Sequence, residues 1–247
     1  MDLQTFFTEN PRAAIAFSGG VDSAYLLYAA VRAGADVCAY YVQSEFQPAF
    51  ERRDAERLAR DVGARIRVLQ VSALCAPGVR ENPPERCYFC KKAIFSAIAA
   101  AAREDGYTLL LDGTNASDDA ADRPGMRALR ELSVRSPLRE CGLTKAEIRE
   151  ASRAAGLFTW DKPAYACLAT RIPAGEVITP EKLAATERAE DYLFSLGFTD
   201  FRVRNAAGAA KIQLPAAQWA RLTEHRAEIL NFLRQDYTAV TLDLEVR

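Results

Sequence analysis

Apolar and polar positions fall into two rhythms along the first half of the chain, and their succession predicts strands that feed helices. The run Ala13-Ala14-Ile15-Ala16-Phe17 reads as a buried strand and Ala24-Tyr25-Leu26-Leu27-Tyr28-Ala29-Ala30 as helix, joined by the turn Ser18-Gly19-Gly20-Val21-Asp22-Ser23. Val37–Val42 reads as a second buried strand ending at Gln43-Ser44. A polar helix follows from about Pro48 to Val62, with Ala55, Leu58, Ala59 and Val62 on one face, and Gly63 ends it. Ala64–Val71 alternates as a third strand. A loop rich in breakers, through Asn82-Pro83-Pro84, closes on Glu85-Arg86-Cys87-Tyr88-Phe89-Cys90-Lys91-Lys92, and an Ala-rich helix runs from there to about Glu104. Thr108–Leu111 is the next strand, with Asp112-Gly113-Thr114-Asn115 beyond its end. Strands alternating with helices predict an α/β fold, a parallel sheet flanked by helices. Ligands of such sheets sit beyond the carboxyl ends of the strands. Ser18, Ser44, the Cys87 loop and Gly113 are expected on that edge.

Farther along, Ser136-Pro137-Leu138 reads as an edge strand, and Thr144-Lys145-Ala146-Glu147 as a capping box opening a helix to Gly156. The stretch from Phe158 to Ile178 is long and irregular, which in a compact domain points to function. The pattern then changes. Thr179 caps a helix with Pro180 at its first position, and Leu183, Ala189, Leu193 and Leu196 line one face. Phe201–Arg204 and Ala210–Leu214 form a hairpin around Asn205–Gly208, followed by a helix from Ala216 to about Arg234 and a strand over Thr238–Val246. A domain of residues 1–172 and a small C-terminal α+β domain of residues 173–247 are expected.

Composition narrows the class without naming it. Hydrophobic residues make up 49% and charged residues 26% of 247, an ordinary globular mixture, and the net charge of −1 offers no global field for nucleic acid. No apolar run approaches the roughly 20 residues of a membrane helix. Met1-Asp2-Leu3-Gln4 has no basic leader, so the chain is expected in the cytoplasm. Six cysteines in such a chain argue for metal or redox chemistry over disulfides.

Chemistry concentrates at two places. Glycines after a strand let backbone approach a ligand closely, and N–H groups at the helix start with the Ser18 and Ser23 hydroxyls make an anion cradle. No Lys follows the second glycine as the Walker pattern requires. An ordinary turn remains the alternative, since Ser, Gly and Asp favour turns. Cys87 and Cys90 form a C-x-x-C, with Cys167 far along in the irregular stretch and the single histidine, His225, on a remote helix. That set supplies a tetrahedral zinc site poorly, while three thiolates suit a [4Fe–4S] cluster with one iron free of protein. Buried structural thiols are the alternative, and are the reading for Cys38, Cys75 and Cys141. Asp22 with Asp118 or Asp119 offers oxygen ligands for Mg²⁺. Arg86, Lys91, Arg171, Arg202 and Arg204 are candidate anion binders. Arg202 and Arg204 also fit any half-exposed strand, and Glu187, Glu190 and Asp191 a solvated helix face.

The turn Ser18–Ser23 resembles the signature of the PP-loop pyrophosphatases (adenine nucleotide alpha hydrolase-like), which cleave ATP to AMP and pyrophosphate while adenylating an oxygen. The combination is narrower. Asn82–Lys92, Asp112–Asp119, Arg123-Pro124-Gly125, Ser136–Arg139, Lys162-Pro163, Cys167–Arg171 and Phe201–Arg204 together resemble the LarE family of sulfur transferases over nearly the whole length. The resemblance implies ATP-dependent conversion of a pyridinium-3,5-dicarboxylate mononucleotide to its thiocarboxylate, in nickel-pincer nucleotide biosynthesis. It implies ATP contacts at Ser18, Gly19, Gly20, Val21, Asp22, Ser23, Ser44, Gly113 and Asn115. Substrate contacts are expected at Arg86, Lys91, Arg171, Glu190, Arg202 and Arg204; the resemblance implies that the last two lie near the substrate phosphate and that Glu190 is an acidic residue of that pocket. Gln213 departs from a family carboxylate and puts a metal there in doubt. Two sulfur sources are known in the family: a sacrificial cysteine at the position of Cys167, and a [4Fe–4S] cluster on three cysteines, matching Cys87, Cys90 and Cys167. The implied domains are an adenylating one and a C-terminal one for substrate binding and homo-oligomer formation. The rival readings are a PP-loop tRNA thiolase, an amidotransferase-type ligase and a nucleotide sensor without turnover.

Overall fold

The computed structural model describes residues 1–118 and 124–245, and its chain divides into two compact units. One comprises Met1–Val79 with Glu85–Ala164, the other Arg80–Pro84 with Tyr165–Arg247. Asp119 and Arg123, named above, lie outside the described residues.

The first unit runs α1 (Leu3–Glu9), β1 (Arg12–Ala16), α2 (Val21–Arg32), β2 (Asp36–Gln43), α3 (Ala49–Asp61), β3 (Arg65–Gln70), α4 (Arg86–Glu104), β4 (Leu110–Leu111), α5 (Pro124–Glu131), α6 (Pro137–Glu140) and α7 (Lys145–Ala154). Its sheet is parallel throughout, in the order β3-β2-β1-β4. Growth reverses direction after β3, so the crevice between β1 and β4 is the switch point where such sheets bind ligands. Successive side chains of β1 and β2 go to opposite faces. Ala13, Ile15, Val37, Ala39 and Tyr41 pack with α1, α2 and α3, while Ala14, Cys38, Tyr40 and Val42 pack with α4. Both faces are covered, which is why β2 reads as one continuous apolar run.

Two local expectations are corrected here. The Cys-x-x-Cys stretch is the first turn of α4, not a loop before it: Tyr88, Phe95, Ile98 and Ala102 keep a helical period onto the core from the first turn on. Ser136-Pro137-Leu138 is not an edge strand. The parallel bridge is made one residue earlier, by Arg135 to Leu111, and Pro137, which has no N–H for a ladder, starts α6.

The second unit holds a 3-10 turn (Leu168–Arg171), α8 (Pro180–Ser195), β5 (Arg202–Ala206), β6 (Ala209–Gln213), α9 (Trp219–Glu224), α10 (Arg226–Leu233) and β7 (Ala239–Leu242). Thr179 caps α8 through the Lys182 N–H, with Pro180 at the first turn as expected. β5 and β6 pair antiparallel around Ala207-Gly208, both at positive φ as a two-residue hairpin turn requires, and β7 joins β6 in parallel. The helix expected over Ala216–Arg234 is interrupted: His225 ends α9 and starts α10, with backbone angles of −88° and 6°. No helix among the described residues is long and apolar enough to cross a membrane.

Candidate active site

In the first unit the apolar strand β1 ends at Phe17, and the chain turns through Gly19 (φ +72°) into the amino end of α2. A side chain at Gly19 would meet Ala55 of α3 at 3.2 Å, so the turn is pressed against that helix. Gly20 occupies the cap position and supplies no side chain, so the first N–H groups of α2 have no capping side chain. The Ser18 and Ser23 hydroxyls lie 3.1 Å apart, and Ser23 Oγ also donates to the Gly20 carbonyl at 3.1 Å. The hydroxyl pair therefore ties both ends of the turn together beside a helix amino terminus, whose dipole favours an anion. Val21 is buried beneath it.

Gly113, just past β4, closes the other side of the switch point. A Cβ there would lie 2.8 Å from the Ser23 backbone nitrogen, so only glycine allows this approach. The following residues form a pinned loop. Asp112 is buried and accepts from Thr114 Oγ1 at 2.5 Å and Ser136 Oγ at 2.6 Å, which holds the loop start. Asn115 gathers two carboxylates: its side-chain amide donates to Asp22 Oδ1 at 3.2 Å and its backbone N–H to Asp118 Oδ2 at 3.0 Å. The other Asp22 oxygen lies 2.5 Å from Lys145 Nζ. Lys145 opens α7 inside the expected capping box, which is present in full, and its N–H donates to Ser117 Oγ. Composition marked it only as a helix-start residue; no local signal pointed it at Asp22. A second lysine, Lys162, reaches Asp54 of α3 at 2.7 Å, one residue before the Ala55 that touches the glycine turn. Arg149 of α7 pins the segment that carries it by donating to the Trp160 and Lys162 carbonyls.

Of the other residues expected here, Ser44 uses its hydroxyl and N–H on Gln47 Oε1, so it serves its own turn. Arg86 is buried at the start of α4 with Nη2 3.7 Å from Cys87 Sγ. The Lys91 side chain lies over Gly125. Lys92, by contrast, is held by Glu131 and the Tyr88 hydroxyl. Cys87 is exposed and Cys90 half-buried, three residues apart and so on one helix face. Cys75, read above as a buried structural thiol, is exposed, with Sγ 3.1 Å from Ser72 Oγ. Burial pushes the Cys38 and Cys141 thiols up, as structural positions would. Within either unit, among the described residues, no three His, Cys, Asp or Glu side chains gather as a metal site.

In the second unit Cys167 is half-buried and leads the 3-10 turn. Arg171 and Glu190 are fully buried against each other, Nε to Oε1 at 2.7 Å and Nη2 to Oε2 at 3.0 Å. Burial works against the guanidinium charge, but the Glu190 hydrogen bonds and charge outweigh it and its pKa stands above the ordinary arginine value. Tyr165 donates to Glu190 and lies under both the Arg171 and Arg202 guanidinium groups, at 4.7 and 5.2 Å. Arg202 Nη1 donates to the Phe201 carbonyl, and Arg204 donates to the Thr170 carbonyl and to Gln213 Oε1. Gln213 in turn donates to Asp243. Of the expected anion binders in this unit, Arg171 and Arg204 thus hold the turn that Cys167 leads, and Arg171 and Glu190 direct their charges at one another.

No protein-family model matches the chain. Three relatives are similar to it along nearly the whole length. The uncharacterized protein slr1717 of Synechocystis sp. is 38% identical over 248 residues, which cover 99% of this chain and 92% of that one. The pyridinium-3,5-bisthiocarboxylic acid mononucleotide synthase of Lactiplantibacillus plantarum is 33% identical, covering 94% and 86%. The uncharacterized protein MJ0830 of Methanocaldococcus jannaschii is 26% identical, covering 96% and 91%.

Proposed function

This chain belongs to the LarE family of sulfur transferases, and we propose that it converts pyridinium-3,5-biscarboxylic acid mononucleotide to its thiocarboxylic acid form with ATP. The observation that carries the reading is the Ser18–Ser23 turn, which opens α2 at the β1–β4 switch point with Asn115 and Lys145 converging on Asp22.

A substrate carboxylate oxygen attacks the α-phosphorus of ATP; the bond to the bridging oxygen breaks and pyrophosphate leaves. The uncapped N–H groups at the start of α2 and the Ser18 and Ser23 hydroxyls bind the leaving group, and Lys145 neutralises charge that develops there. Asp22 and Asp118, carboxylates tied to one asparagine, are the residues that would hold Mg²⁺, which screens the phosphate charge. A sulfur nucleophile then attacks the acyl carbon and AMP leaves. Arg202 and Arg204 supply the positive charge suited to the substrate phosphate.

For the sulfur source, thiol donors fit an iron–sulfur group, and by the family resemblance Cys87, Cys90 and Cys167 are the residues that would hold it. Bound there, a [4Fe–4S] cluster supplies a transferable sulfide. Intact mass of the chain before and after anaerobic turnover with ATP, Mg²⁺ and the mononucleotide tests this. An unchanged polypeptide with thiolated product supports delivered sulfide. Loss of one H₂S at Cys167 establishes the sacrificial route instead: Sγ displaces AMP, then the Cα proton and the Cβ–S bond are lost to leave dehydroalanine. Pyrophosphate formation without any thiolated product would overturn the sulfur-transfer reading.

A further inference from the structure

We infer that the buried Arg171–Glu190 pair is a positioning device for Cys167 and binds no substrate. The inference rests on reading Cys167 as a residue of sulfur delivery. Two guanidinium nitrogens of Arg171 are taken by Glu190. The third, Nη1, faces the turn that carries the cysteine: it donates to the Ala166 carbonyl at 2.8 Å and to Thr170 Oγ1 at 2.8 Å, and lies 3.5 Å from the Cys167 carbonyl. Thr170 adds its N–H at 2.9 Å and its hydroxyl at 2.8 Å to that same Cys167 carbonyl. The backbone on both sides of Cα167 is therefore fixed.

Glu190 anchors the device to the rest of the unit, since Oε1 also accepts the Val203 N–H at 2.9 Å and Tyr165 donates to Oε2. One buried cation thus links α8, β5 and the cysteine turn. A buried ion pair is poor value for stability alone, because desolvating two charges offsets most of their attraction, but it holds a single geometry. Arginine is required for it: lysine has no planar fork with a further nitrogen left to bind the turn. Arg171 and Glu190, at 0% and 1% exposed, have no charged surface left for a ligand.

The test is iodoacetamide labelling of the full-length chain after chelator treatment, with the rate at Cys167 expressed relative to exposed Cys75 by peptide mass mapping. In Arg171→Lys the ratio is expected to rise roughly threefold or more as the turn opens locally, and less in Thr170→Val. Pyrophosphate release should stay near wild type while thiolated product per pyrophosphate falls about tenfold, as misplacement of a reacting group does. Ile229→Ala, a core change elsewhere in the unit, should lower the melting temperature without moving the ratio. A wild-type ratio in Thr170→Val and in any folded Arg171→Lys, or an equal rise in Ile229→Ala, overturns the inference. If Arg171→Lys does not melt cooperatively, Thr170→Val decides. Full sulfur transfer by Cys167→Ala would remove the delivery reading alone; the labelling ratio would still decide whether the pair positions the turn.

Discussion

Lys145 Nζ lies 2.5 Å from Asp22 Oδ2, joining residues 123 positions apart at the mouth of the Ser18–Ser23 turn. Both side chains keep substantial exposure, 35% and 23%, so the pair contributes little to folding. In the proposed reaction this lysine, held by an aspartate beside an uncapped helix start, meets the triphosphate. Lys145→Ala is expected to lower pyrophosphate release about 100-fold while costing less than about 1 kcal/mol of stability. Coupled pyrophosphate assays and urea denaturation check the two together. Wild-type release would remove Lys145 from the chemistry.

Gly113→Ala tests the crevice itself. The added Cβ meets the Ser23 and Asp22 backbone at 2.8 to 3.3 Å, atoms that cannot rotate away. The amino end of α2 must shift, with a cost of about 1–3 kcal/mol for overpacking. ATP affinity should drop well beyond what that stability loss explains, because the displaced N–H groups are those proposed to bind the phosphates. Gly63→Ala, with open space around it but also at positive φ, is the control: some loss of stability, unchanged ATP affinity.

The strands, the glycine turn at the start of α2 and the capping box were legible because each is encoded by neighbours: apolar runs, paired glycines, a Thr and a Glu three apart. The rest is set by distant partners. A sequence presents Arg171 and Glu190 as two charges, and only the packing of α8 on the 3-10 turn shows that each is the other's ligand. Lys145 looked like a helix-start residue for the same reason. The Cys-x-x-Cys turn was placed in a loop because Asn82-Pro83-Pro84 breaks the chain just before it and two aromatic residues interrupt the Ala-rich pattern. The buried Tyr88 shows the helix already under way.

A pH test addresses the amino-terminal edge of the sheet. The Tyr40 hydroxyl donates to Asp105 Oδ2 at 2.6 Å and Arg67 Nη1 at 2.9 Å, and these bonds hold the Asp105 carboxyl below its ordinary value. A lowered carboxyl stabilises the folded state above the unfolded value of about 3.9 and loses that contribution as pH falls through the folded value. Urea midpoints measured from pH 7 downward should therefore fall less steeply at the acid end in Asp105→Asn than in wild type. Parallel curves would show that Asp105 is not linked to folding.

Iron binding should separate the cysteines by position. Cys87 and Cys90 share one face of α4, and Cys167 leads the turn of the second unit, whereas Cys38 is buried in the sheet and Cys75 lies exposed in a loop. Anaerobic reconstitution with ferrous iron and sulfide should load about four irons and about four labile sulfides per chain. Cys87→Ser and Cys90→Ser should each lose most of that iron, because a hard hydroxyl replaces a soft thiolate. Cys75→Ser should keep it. Chelation of the loaded protein should then abolish thiolated product while ATP binding at the Ser18–Ser23 turn persists, since that turn contains no thiol. An iron-free chain with full multiple-turnover activity would sink the cluster reading, and equal iron in the Cys75, Cys87 and Cys90 variants would show that the metal is adventitious.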